Sequence, residues 1–202
     1  GSYLFDYIGK DVEIRDLRIC FPGRVNVENA TAAITVALYA GVTPEEIRVA
    51  LPLFKGVSRR FDVHAKGDRL IYIDDYAHHP REIEASLSSI REMWPDKRLT
   101  VAFQPHLYSR TNDFYPEFAK SLNLADQVIL LDIYPAREQP IPGVTSGLIA
   151  DRLTVPFVRV TKEEFPEYVK ENVKEGVFMT VGAGDIDRFI PIFTEMFGGT
   201  DC

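Results

Sequence analysis

Residues 74–80 read Asp-Asp-Tyr-Ala-His-His-Pro, directly after the apolar run Leu70-Ile71-Tyr72-Ile73. Carboxylates, a phenol and imidazoles so close together can cap a helix, bind a metal, or move protons and grip polar ligands. Capping accounts for His79 at the N-cap, Pro80 at the first helical position and Glu82 at the third. It leaves Asp74, Asp75 and Tyr76 unexplained. Zinc fits less well, because adjacent histidines rarely ligate one ion together and neither HExxH nor CxxC spacing occurs. No GxSxG elbow is present for a serine nucleophile. Three more stretches have the same reactive character. FQPHLYSRT carries Gln104, His106, Tyr108 and Arg110, while LDIYPAREQPIPG carries Asp132, Tyr134, Arg137 and Glu138. VGAGD adds Gly182 and Gly184, which would let backbone come close to a ligand. Arg110 reads either as a surface residue near a helix start or as a bidentate grip on a carboxylate. Arg59-Arg60 reads as a solvated pair or as a phosphate clamp, and His64, inside a strand, as structural.

What must position these stretches is an alternation of strand and helix. From Arg59 onward the pattern predicts strands near 61–66, 69–74, 98–103, 127–132, 156–160 and 176–181. It predicts helices near 80–93, 112–123, 145–153, 162–174 and 185–197. Helix 80–93 would bury Ile83, Leu87, Ile90 and Trp94. Val128-Ile129-Leu130-Leu131 is apolar throughout, as a strand covered on both faces should be. The fold class is therefore α/β, a Rossmann-like, mostly parallel sheet with helices on both faces and its first two strands as an antiparallel edge pair. In such sheets ligands collect at the carboxyl ends of the strands, and all four reactive stretches follow predicted strands. Ahead of this lies a different segment. Tyr3–Ile8 and Asp11–Cys20 read as short strands, and NVENATAAITVALYAG as a buried helix ending at Gly41. Thr43, Pro44 and Glu46 give the next helix a strong start signature, running to about Phe54. The expected boundary is at Lys55–Ser58, giving domains 1–58 and 59–202.

Composition narrows the class. The 202 residues are 46% hydrophobic and 26% charged, a globular profile. Net charge is −7 and no basic stripe exists, so nucleic acid is an unexpected partner. Apolar runs are too short to span a membrane. Cys20 and Cys202, at opposite ends, suggest neither a disulfide framework nor a metal site, and a reducing cytoplasm is expected. Gly1-Ser2 reads as the remnant of a tag, so the natural protein is expected to begin upstream.

Together GRVNVENATAAI, GVSRRFD, DDYAHHPREI, FQPHLYSRT, DIYPAREQPIPG and VGAGDI resemble the Mur ligases in order and spacing, over essentially the whole chain. The resemblance implies an amide-forming ligase of peptidoglycan synthesis with three domains. This chain would supply the end of the central ATPase domain and all of the C-terminal Rossmann-like domain. The partners implied are ATP, UDP-N-acetylmuramate and L-alanine, with Mg2+ held mostly by residues outside this chain. In that family the sugar's lactyl carboxylate takes the γ-phosphate of ATP, and the amino acid then displaces phosphate from the acyl phosphate. By resemblance Asn26 and Asn29 would touch the adenine, Arg60 the γ-phosphate and Asp75 the ribose. Tyr76, His78, His106 and Arg110 would form the amino-acid pocket, with Arg60 and His78 nearest the chemistry. Val25 stands where many relatives have His, and Leu107 where many have Arg. A GxxxxGK[ST] phosphate loop is absent from the sequence, so the chain alone is expected to be inactive. Two other readings stay open: a ligase that recycles murein tripeptide onto the same sugar, and a non-catalytic nucleotide- or amino-acid-binding module.

Overall fold

The computed structural model describes residues 2–20 and 23–198; Gly1 and Cys202 lie outside the described residues. The chain divides into two compact units, Gly1–Val57 and Ser58–Cys202.

In the first unit, β1 (Tyr3–Ile8) and β2 (Glu13–Ile19) pair antiparallel. They pack with α1 (Arg24–Tyr39) and α2 (Pro44–Ala50) around Tyr7, Ile14, Leu17, Ile34 and Ile47. α2 begins as its sequence predicts: the Thr43 hydroxyl accepts from the Glu46 N–H, and the Glu46 carboxylate accepts from the Thr43 N–H. A 3-10 turn at Leu51–Leu53 completes it. The expectation of a buried α1 is corrected. Only Asn26, Ala30 and Ile34, one stripe at helical spacing, are buried, while Val36 and Tyr39 are exposed. A two-stranded ribbon and a two-turn helix have too little surface to cover an alanine-rich helix on every side.

The second unit is a six-stranded sheet in the order β3-β4-β8-β5-β6-β7. Its strands are β3 (Asp62–Lys66), β4 (Leu70–Asp75), β5 (Leu99–Phe103), β6 (Gln127–Leu130), β7 (Phe157–Arg159) and β8 (Gly176–Val181). β3 runs antiparallel to β4 at one edge, and the other neighbours are parallel. β4, β5 and β8 are buried at every position, the result of helices on both faces. One face carries α3 (Pro80–Met93), α4 (Tyr108–Leu122) and α5 (Gly147–Ala150), packed through Ile83, Leu87, Ile90, Phe118 and Ile149. The other carries α6 (Phe165–Asn172) and α7 (Ile190–Phe197), packed through Phe165, Val169 and Phe193. Three helical expectations move. α5 is a single turn instead of 145–153, and Trp94 caps the end of α3 half-buried rather than in the core. α4 begins four residues earlier than its own sequence signals, because its start is held from elsewhere in the chain.

Candidate functional site

β4, β8 and β5 are parallel neighbours, so their carboxyl ends deliver Asp74, Asp75, Gly182 and Gln104 to one edge. β6 ends beside them and leads into Asp132 and Tyr134. Topology thus gathers all four reactive stretches at that edge.

Arg59 ties the end of β4 to the segment after β8. Its Nε donates to Asp74 (3.1 Å), one terminal nitrogen to Asp187 (3.2 Å) and the other to the Gly182 carbonyl (2.7 Å). Its guanidinium also lies over the Tyr76 ring, 5.1 Å from the centroid. Asp74 is fully buried and accepts from the Thr180 hydroxyl as well (2.6 Å). Burial raises its carboxyl pKa against those stabilising contacts. Arg60, by contrast, is exposed and makes no ion pair among the described residues, leaving its charge available to an anion. Read from residue types alone the two arginines form one pair, and only the resemblance singles out Arg60; the fold gives them different surroundings.

Asp75 is buried and its two oxygens are in use: the Ala77 N–H donates to one (3.0 Å) and the Ser86 hydroxyl to the other (2.6 Å). Burial pushes its pKa up to about 6, opposed by those two donors. Tyr76 is 38% exposed. The Glu82 carboxylate accepts from the His78 (2.9 Å) and His79 (3.1 Å) N–H groups, so the capping reading of this loop holds. Capping leaves the His78 ring turned toward Tyr76 (5.3 Å) and His106 (6.3 Å). His106 stacks on Tyr134 (5.7 Å) and lies 3.4 Å from Arg110. Burial, then Arg110 and His78, hold the His106 pKa below its ordinary value, which favours a neutral ring. Tyr76, His78, His106 and Arg110 therefore form one contiguous group. Asn26, buried, and Asn29, exposed, are on α1 of the first unit.

Beside this group a cleft of about 540 Å3 is lined by Arg59, Tyr76, Tyr134, Gly184, Asp185 and Arg188. Gln104 supports the lining residue Asp185 from behind. It is fully buried, donates to Asp185 (2.8 Å) and accepts from the Ile186 N–H (2.9 Å). A Cβ on Gly184 would lie 2.7 Å from that of Tyr134, which is why this turn requires glycine. Lys162, ahead of α6, closes the network on Asp185 (2.7 Å) and lies over the Tyr134 ring. Lys162, Ser86 and Asp185 carry no local signal in the sequence: sheet order brings Lys162 to Asp185, and Ser86 reaches Asp75 only when α3 packs back along β4. Among the described residues no group of three His, Cys, Asp or Glu is placed to hold a metal ion. The edge carboxylates are already committed to arginine, lysine, hydroxyl and amide donors. The donor set therefore does not fit a resident cation; it fits anions and polar ligands gripped by hydrogen bonds and positive charge.

Residues 59–184 match the family model of the Mur ligase glutamate ligase domain. The chain belongs to the Mur ligases. Arg60, Asp75, Tyr76, His78, His106 and Arg110 lie inside the matched span, Asn26 and Asn29 before it, and Asp185, Asp187 and Arg188 just after it. Curated relatives include UDP-N-acetylmuramate–L-alanine ligase of Phocaeicola vulgatus, 48% identical over 95% of this chain and 42% of the relative. That of Porphyromonas gingivalis is 46% identical over 92% and 44%. The chain thus spans about two fifths of the length of the curated relatives it matches. Among solved structures, the UDP-N-acetylmuramate-alanine ligase of Thermotoga maritima superposes with a TM-score of 0.71 at 32% identity, covering 91% of this chain and 39% of that one. A murein peptide ligase of Psychrobacter arcticus shares the fold, with a TM-score of 0.63 at 20% identity over 96% and 41%. Among the described residues no helix of this Mur ligase chain is long and apolar enough to cross a membrane.

Proposed function

We propose that this chain is the carboxyl-terminal part of an ATP-dependent ligase that joins L-alanine to the lactyl carboxylate of UDP-N-acetylmuramate, in the cytoplasm. What carries the reading is the grouping of His78, His106 and Arg110 beside Tyr76, in a chain 48% identical to a named L-alanine ligase. We assign residues 1–58 to the end of the central nucleotide-binding domain and 59–202 to the domain that receives the amino acid. The lactyl carboxylate attacks the γ-phosphorus of ATP and ADP leaves, giving an acyl phosphate. The amine of L-alanine attacks the acyl carbon, and inorganic phosphate leaves with the bonding pair. Such chemistry needs position and charge more than a protein nucleophile. Arg60, exposed and free of partners, suits the γ-phosphate. Asn26 and Asn29 are assigned to the adenine, and Asp75 to the ribose end of the nucleotide. Arg110 suits the alanine carboxylate, with Tyr76 and His78 walling the pocket. A neutral His106 beside it can take a proton from the incoming ammonium. Mg2+ is assigned to no residue of this chain.

The test is phosphate release by the full-length protein given ATP, Mg2+ and UDP-N-acetylmuramate, with L-alanine or murein tripeptide in turn. Release with L-alanine is the expected outcome; release with the tripeptide alone would move the protein to peptide recycling. Arg110→Ala should raise the alanine KM roughly 30-fold, the loss of a charge-assisted contact, with the ATP KM little changed. Asp75→Ala should do the reverse. Unchanged kinetics in both variants would remove these residue assignments.

A further inference from the structure

α4 carries Arg110 in its first turn, yet nothing at its own amino end caps it. Its N-cap position is Leu107, at φ 72° and ψ 136°, with no side-chain hydrogen bond to the helix. A leucine in the left-handed region is strained, and persists only where its surroundings hold it. Two contacts from the loop after β6 do so. The Leu107 N–H donates to the Tyr134 carbonyl (2.9 Å), and the Tyr134 N–H donates to the Pro105 carbonyl (2.8 Å), a one-residue parallel bridge centred on His106. Farther along the same loop, the Glu138 carboxylate accepts from the Ser109 N–H (3.0 Å) and the Ser109 hydroxyl (2.5 Å). Ser109 occupies the second helical position, whose N–H is one of those a helix cannot satisfy internally. A carboxylate there also meets the positive end of the helix dipole.

We infer that Glu138 is a positioning residue for the amino-acid pocket: it is the N-cap of α4, delivered from another loop, and it sets the place of His106 and Arg110. The geometry has a direct consequence for function. The donors that receive the substrate carboxylate sit on a helix start whose register depends on a loop far along the chain. Glu138 makes no hydrogen bond or ion pair with His106 or Arg110 among the described residues; its charge acts on His106 through space, raising that ring's pKa, while its hold on position runs through the helix start. The hydroxyl and N–H donors also hold the Glu138 carboxyl below its usual range, so the cap stays ionised through the neutral range.

The inference rests on the ligase reading for its kinetic half only, so the test has two arms. On the present chain, amide exchange reads the cap directly. Glu138→Ala should speed exchange at Ser109 roughly tenfold with the far-UV signature of the fold retained, and Glu138→Gln, which keeps one acceptor, should fall between. Unchanged exchange at Ser109 would overturn the assignment whatever the enzyme does. In the full-length protein, Glu138→Ala should raise the alanine KM roughly tenfold and lower kcat, because His106 shifts with Arg110, while the ATP KM stays within about twofold, with partial rescue by Glu138→Gln. Uniform loss across kcat and both KM values would reduce Glu138 to a structural residue. If the unmodified full-length protein does not use L-alanine, the ligase reading falls, and the exchange arm alone decides the cap.

Discussion

Asp75 is a carboxyl group held where ionisation is costly. Its side chain is buried beside Asp74, and its pKa is pushed up to about 6 even with donors from Ser86 and Ala77. The folded state therefore holds a proton on Asp75 at pH values where the unfolded chain has lost it. Stability from this group is greatest below the ordinary carboxylate pKa and falls as pH rises toward 6. The decline is on the order of 3 kcal/mol and remains in force at neutral pH. Asp75→Asn keeps an acceptor for the Ala77 N–H and can donate to the Ser86 hydroxyl without the charge. Its urea midpoint should exceed the parent's at pH 7.5 and approach it at pH 4, and parallel midpoint curves would count against a buried, strained carboxylate. Cost of this kind at a site edge is ordinary where function selects the charge. The acidity of the loop was visible in the sequence. That Asp74 answers to Arg59 and Asp75 to Ser86 was not, since each pair meets only once the β3–β4 hairpin closes or α3 folds back along β4.

At the scale of elements, the glycine loop after β8 and the loop after β5 form one joint. Gln104 is its pin, filling the space over Gly184 and holding the Ile186 N–H. Gly182 stands at φ +144°, and a Cβ there would lie 2.6 Å from the Gln104 carbonyl oxygen. Gln104→Ala should cost about 2–4 kcal/mol, from the cavity and an orphaned buried amide. Gly182→Ala should cost about 2 kcal/mol or more through strain and overlap. Equilibrium urea unfolding measures both, and a loss below about 0.5 kcal/mol in either would mean the joint yields rather than locks. Helix starts divide the same way. Thr43-Pro44-Glu46 and His79-Pro80-Glu82 carry their caps in their own sequence and begin where they are read. α4 begins at Tyr108 because of Glu138, and no local pattern announces a cap that arrives from another loop.

At the scale of the molecule, each unit owns its own hydrophobic clusters, and those of the second are far the larger, with helices on both faces of six strands. A chain cut to residues 58–202 should therefore unfold cooperatively, with the Trp94 fluorescence midpoint within error of the full chain's. A broad or lowered transition would show that the second unit borrows stability from the first. The sequence by itself determined the fold class, the order of strands and helices in the second unit, and which four loops carry reactive groups. Those properties follow from apolar periodicity and turn chemistry, which act over a few neighbouring residues. It also fixed the family, because several long motifs keep their order and spacing. Tertiary structure alone decided that α1 buries only one stripe, that Arg59 ties Asp74 to Gly182 and Asp187 while Arg60 makes no ion pair among the described residues, and that Gln104 and Lys162 both meet Asp185. The contacts of Arg59, Gln104 and Lys162 depend on strand order β4-β8-β5-β6, in which hydrogen-bonded neighbours come from distant parts of the chain, and no local rule reaches across that distance.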